Sequence, residues 1–174
     1  ERRGLGCLGK QNMKIKLEPF EVQMAADVAT RRFIENLKMG KSFSYGYQGS
    51  EDKTLALGIM GCCAEVAFAK SQNQYFNGSY SDKYSRYTDT DMQKGIEIRS
   101  QKRKPNNFLL IRPNEKKAKY VLVIDEGGFE FSLIGWYPFI MEEPDRLTNF
   151  GYPNRPPAYK VDIKELRPIA DLKC

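Results

Sequence analysis

Over residues 20–40, FEVQMAADVATRRFIENLKMG, apolar side chains recur at three- and four-residue intervals, the spacing that collects them on one face of a helix. Pro19 stands near the start, where a missing N–H costs nothing, and Gly40 is placed to end it. A second helix is expected over 54–72, TLALGIMGCCAEVAFAKSQ, with Leu55, Ile59, Cys62 and Val66 as its core stripe. Between Thr54 and Ala69 the one formally charged side chain is Glu65. Gly58 and Gly61 leave that face of the helix bare, so another stretch of backbone can come close.

Further along, the period falls to two. The segments GIEIRSQ (95–101), NFLLIRP (107–113), AKYVLVIDE (118–126) and FEFSLIGWYP (129–138) are separated by the turn signals KPN, NEKK and GG. Four consecutive strands with short connections predict an antiparallel or mixed meander, with the helices over one face. A return strand is expected near 158–161. In VDIKEL (161–166), Asp162 and Glu165 have the spacing of a capping box on a short helix. Residues 73–90 and the Pro-rich 142–161 read as irregular connections. The order of elements gives an α+β fold, a single domain over 19–174 behind an N-terminal extension at 1–18.

Composition narrows the chemistry. With 174 residues, 41% apolar and 29% charged, one globular domain with a core of its own is expected. No apolar run approaches the roughly 20 residues that span a bilayer, and ERRGLGCLGK lacks the apolar core of a signal peptide. A cytoplasmic protein without a membrane partner is the expectation. Cys7, Cys62, Cys63 and Cys174 form no CxxC pair, and Cys62 and Cys63 read as buried reduced thiols. Histidine is absent, which removes Ser-His-Asp triads, Cys-His dyads, HExxH proteases and His-ligated zinc deaminases. Acid–base and metal chemistry would rest on carboxylates, Lys, Tyr or Cys, and carboxylates suit Mg²⁺ or Mn²⁺.

Charge is concentrated. Residues 94–119 carry a net +7 in a chain whose total is +6, the footprint of a protein that meets phosphate backbones. Within 89–104, DTDMQKGIEIRSQKRK, Glu97 and Arg99 alternate with Ile96 and Ile98, so on a strand the charged pair shares one face. Asp89 and Asp91 stand just upstream, where a turn could return a carboxylate to Glu97. Such a grouping suits either a solvated hairpin or a metal site facing a polyanion.

Glu65 on a helix, Asp89 or Asp91 in a turn, and Glu97-Ile98-Arg99 on the first long strand together resemble the PD-(D/E)xK nuclease superfamily. In that superfamily a helix Glu, an Asp at the end of one strand and an ExK on the next converge on one or two metal ions. GIMGCCAEVAFAK (58–70), the hairpin from Asp91 to GIEIR (95–99), KYVLVI with FSLIGW (119–124, 131–136) and RPPAYKVDIKELRP (155–168) resemble a group of uncharacterised phage and prophage proteins with such a core. Gly135-Trp136 and the terminal Leu166-Arg167-Pro168 are landmarks of that group without an assigned chemical role.

The resemblance implies a restriction-endonuclease-like core, a central mixed or antiparallel sheet with two N-terminal helices packed on it. It also implies a Mg²⁺- or Mn²⁺-dependent endonuclease acting on nucleic acid, DNA before RNA. Asp91, Glu97, the Ile98 carbonyl and Glu65 would hold the metal, with Asp89 in reserve for Asp91. Arg99 stands where the superfamily has Lys; it stays protonated, so it can stabilise phosphate charge but not take a proton from water. Lys94, Lys102, Arg103 and Lys104 would grip the backbone of the nucleic acid. Two alternatives stay open: a catalytically inactive nucleic-acid-binding protein on the same fold, and a phage protein that binds a host enzyme through the aromatic residues of 43–50 and 75–87.

Overall fold

The computed structural model describes residues 12–40, 49–76, 78, 95–113, 115, 117–140, 144–151 and 156–172. Helices α1 (Pro19–Lys38) and α2 (Glu51–Ser71) form one layer. Strands β1 (Met13–Lys16), β2 (Ile96–Lys102), β4 (Ala118–Gly127) and β5 (Glu130–Phe139) form a mixed sheet in the order β1-β5-β4-β2. Strands β3 (Phe108–Ile111), β6 (Leu147–Thr148) and β7 (Ala158–Asp162) form a second, antiparallel sheet in the order β3-β7-β6. The result is an α+β fold of three layers.

The layering follows from β4. Along Tyr120-Val121-Leu122-Val123-Ile124 every side chain is buried, which requires cover on both faces. Val121 and Val123 pack with Ile96, Ile98, Phe131 and Leu133 against the helices. Tyr120, Leu122 and Ile124 point the other way and pack on Leu109, Ile111, Tyr159, Val161 and Leu166. The second sheet supplies that cover, so the strand at 108–111 leaves the expected meander and pairs antiparallel with β7, Leu109 opposite Val161. Strands β2 and β4 then lie side by side and parallel, with Glu97 opposite Tyr120 and Arg99 opposite Leu122.

The stretch 1–18, expected as an extension, holds β1 at Met13–Lys16, antiparallel to β5, and its Leu17 is fully buried. Helix α2 begins at Glu51, three residues ahead of expectation. Its residues 62–69 are all buried, so one apolar stripe describes only its first half; the second half packs on both α1 and the sheet. Against the expectation of no membrane-length apolar run, α2 is by length and composition apolar enough to cross a bilayer. In this fold it is the core helix. Cys62 and Cys63 are buried free thiols there, as expected, and burial pushes the Cys63 thiol up to about 11.

Helix α1 presents Ala25 and Ala29 to the interior, and a Cβ on Gly58 would stand 3.9 Å from that of Ala29. The backbone that approaches the bare face of α2 is therefore α1. Gly40 ends α1 at φ +59°, its N–H donating to Leu37 O at 3.0 Å. Asn107 closes the turn from β2 to β3: its Oδ1 accepts from Lys104 N at 2.9 Å, and its Nδ2 donates to Lys102 O at 3.0 Å.

The two landmark motifs meet each other. Trp136 and Arg167 exchange backbone hydrogen bonds of 2.9 and 2.8 Å, and Trp136 Nε1 donates to Pro168 O at 3.0 Å. A Cβ at Gly135 would lie 2.7 Å from Arg167 O and 2.8 Å from Leu166 Cβ, so only glycine admits the passing chain. Between them, Asp162 and Glu165 do form a capping box, on a 3-10 turn at Ile163–Glu165.

Candidate functional site

Strand β2 sets the geometry. Ile96 and Ile98 face the helices, so alternation turns Glu97 and Arg99 to the opposite face. Glu97 is buried and Arg99 keeps about a third of its side chain in solvent. Arg99 Nη1 donates to Glu97 Oε2 and to the Ile98 carbonyl, both at 3.3 Å. Arg99 Nη2 donates to Glu115 Oε2, brought in by the connection from β3 to β4. The guanidinium also lies over the Tyr120 ring, 5.0 Å from its centroid. Burial, then the Glu115 charge, raises the Tyr120 phenol far above its ordinary range, and the phenol donates a hydrogen bond to Glu115. Two largely buried carboxylates and a carbonyl thus surround one cation at the edge of the sheet.

Glu65 is elsewhere. On α2 it is buried and accepts three bonds from Arg32 of α1: from Nη1 at 2.9 Å and 3.2 Å, and from Nη2 at 3.1 Å. The same Nη1 lies 3.3 Å from Cys62 Sγ. Glu65 belongs to the helix layer and Glu97 to the face of the sheet turned away from that layer, so the structure does not bring these two together. Asp89, Asp91 and Lys94 lie outside the described residues. Of the aromatic contact surface, 43–48 and 79–87 also lie outside them; Tyr75 is exposed and Phe76 is buried.

The basic run after β2 divides by partner. Arg103 is bound to Glu126, its Nε at 2.7 Å from Oε2 and its Nη2 on Oε1. That pairing, with a further bond from Ser132 Oγ, depresses the Glu126 carboxyl to about 2. Lys102 and Lys104 are exposed and form no ion pair among the described residues. Of this run they are the two cations left to solvent.

Three residues of these clusters carried little or no signal in the sequence. Glu115 stood out there only as a charge within the basic block, and Tyr120 only as a letter in KYVLVI. Arg32 had one signal: a lone carboxylate in an apolar helix needs a cation, and the neighbouring amphipathic helix carries Arg31-Arg32.

As a donor set, the oxygens of Glu97, Ile98 and Glu115 suit a hard cation such as Mg²⁺ or Mn²⁺. The Arg99 guanidinium stands among them, so a metal would enter as Arg99 swings out. Among the described residues no group of three or more acidic, Cys or His side chains is poised for a metal. Comparison with protein-family models, with curated proteins and with solved structures finds no match for the chain.

Proposed function

We propose that this chain is a metal-dependent phosphodiesterase acting on nucleic acid, DNA in the first place, with its chemistry at Glu97, Arg99 and Glu115. One observation carries the reading: two largely buried carboxylates, from β2 and from the connection into β4, share a single partly exposed guanidinium. The strand that bears Glu97 and Arg99 runs directly into the exposed Lys102 and Lys104. Glu97, Glu115 and the Ile98 carbonyl, with Asp91 as the further expected ligand, would hold Mg²⁺ or Mn²⁺, whose chemistry there would be to activate water for hydrolysis of the phosphodiester. Released from the carboxylates, Arg99 meets the charge that develops on the scissile phosphate. Tyr120, kept protonated, holds Glu115 in place. Lys102 and Lys104 hold the adjoining backbone without reading its sequence.

The test is nicking of supercoiled plasmid with Mn²⁺, with Glu97→Ala and Asp91→Ala as companions. Cleavage by wild type that both variants lose supports the reading; cleavage that survives in Glu97→Ala overturns it. A second reading has its own observation. Arg99 already pairs with Glu97 and Ile98, and Arg32 with Glu65, as in a nuclease-like scaffold that binds nucleic acid without cutting it. Salt-sensitive binding with no cleavage in any metal would select it.

A further inference from the structure

The solvent face of the second sheet carries a feature that the Glu97 cluster does not use. Leu109 and Ile111 of β3 turn into the core, so Phe108 and Leu110 turn out. On β7, Tyr159 and Val161 turn in and Lys160 turns out, opposite Leu110. Phe150, just past β6, lays its ring on that of Phe108, with centroids 5.5 Å apart and planes 6° from parallel. Lys160 Nζ stands 5.4 Å from the Phe108 centroid, its exposed ion pair with Asp162 at 3.1 Å. Both rings are half-buried, so each keeps surface open to solvent.

The position of this stack along the chain matters. Phe108 follows directly on the turn that presents Lys102 and Lys104, and Gln101 Nε2 fixes it to β2 by donating to Phe108 O at 2.8 Å. The other end of β3 leads to Glu115 and so to Arg99. One short strand therefore joins exposed lysines, a flat aromatic surface and the Glu97–Arg99–Glu115 cluster. Aromatic rings on a sheet face with lysines beside them match the needs of unpaired bases, whose faces are free to stack, and of the phosphates between them. In a duplex those base faces are hidden.

We propose that this face binds single-stranded nucleic acid, with bases stacking on the Phe108–Phe150 pair and phosphates meeting Lys160, Lys102 and Lys104. This rests on the nucleic-acid reading above and narrows it to a substrate class. The experiment is run in EDTA, so that it does not depend on catalysis. A fluorescent oligothymidylate about 20 nucleotides long, enough for an extended site, and a blunt duplex of the same length are titrated with the intact chain. The single strand should bind about tenfold or more tighter, and Phe150→Ala should weaken it about 5- to 100-fold, the range expected when one base loses its aromatic platform. Phe150→Trp should restore binding, and Lys160→Ala should flatten the salt slope on the single strand by about 0.7. Thermal unfolding of each variant confirms that it folds. Equal affinity for both probes, or a folded Phe150→Ala that binds the single strand like wild type, overturns the inference; the ring pair then only fastens residues 147–151 to the sheet. Absence of binding to either probe overturns it too. Failure of the phosphodiesterase reading shows separately, as plasmid left uncut in Mn²⁺ by a protein that still prefers single strands.

Discussion

Arg32 and Glu65 join the two helices by a fork of hydrogen bonds, all within 3.2 Å, in a region where the carboxylate is almost wholly out of water. A fork of this kind fixes the relative rotation of α1 and α2 as well as neutralising the charge. Arg32→Met should cost about 3 kcal/mol, because it strands Glu65 without its counter-ion. Adding Glu65→Leu should recover most of that loss. Urea unfolding of the single and double variants measures it, and a double variant less stable than Arg32→Met would show that the pair is not the source of the cost.

Removing the guanidinium from the Glu97 cluster should make metal binding easier. Arg99→Ala leaves Glu97 and Glu115 without their shared cation, so Mn²⁺ should raise the melting temperature more in this variant than in wild type. At a hundredfold excess over Kd the gain is about 2.7 kcal/mol, or about 5–10 °C for a chain of this size. Glu97→Ala in the same background should abolish the rise. Cleavage should move oppositely: Arg99→Ala should lose about 100- to 1,000-fold, and Arg99→Lys should keep activity.

The acid side of the stability profile should carry the mark of Glu126. Its carboxyl is depressed from 4.5 to about 2, first by the Arg103 hydrogen bond and then by that from Ser132. A carboxyl whose folded value lies below its unfolded one contributes stability that is fully present above about 4.5 and lost as pH falls towards 2. Melting temperature should therefore fall across that window in wild type, and less steeply in Glu126→Gln. Parallel slopes would mean that other carboxylates dominate acid unfolding.

The same pairing separates the neighbouring cations. Lys102→Ala with Lys104→Ala should flatten the log–log salt dependence of duplex binding by about 0.9 for each phosphate that is no longer neutralised. Arg103→Ala should instead lower thermal stability and leave the slope nearly unchanged, because its guanidinium is committed to Glu126.

Gly135→Ala should be poorly tolerated because of crowding rather than backbone conformation. The added methyl would press on Arg167 O and Leu166 Cβ, and such overpacking costs about 1–3 kcal/mol. Chemical unfolding reads the loss, and an Ala variant of wild-type stability would mean that the passing segment is free to move aside.

Periodicity told which residues share a face, and there it served well: Ile96 and Ile98 inward to the helices, Glu97 and Arg99 away from them. It could not tell which strand lies beside which. The two-sided burial of β4, already visible in YVLVI, held the clue that a second layer must exist, yet nothing local to NFLLIRP says that it pairs with AYKVD. Strand β1 was hidden by its length, four residues with only Met13 and Ile15 to alternate. Glu115 is a surface-type residue in a turn, and only the tertiary fold sets it beside Arg99. Gly135-Trp136 and Leu166-Arg167-Pro168 were legible as separate segments; that they meet through backbone hydrogen bonds is a matter of tertiary structure.

Strand β7 and Leu166, which cover Tyr120, Leu122 and Ile134, are made after every strand of the sheet they protect. During synthesis the helices and the mixed sheet can assemble first, but their second apolar face stays only partly covered, by Leu109 and Ile111, until residues 158–172 have left the ribosome. That interval is when the nascent chain is most prone to stick to its neighbours. A stall or nick just ahead of this segment would leave an adhesive, incompletely covered fold, a natural client for chaperones and proteases.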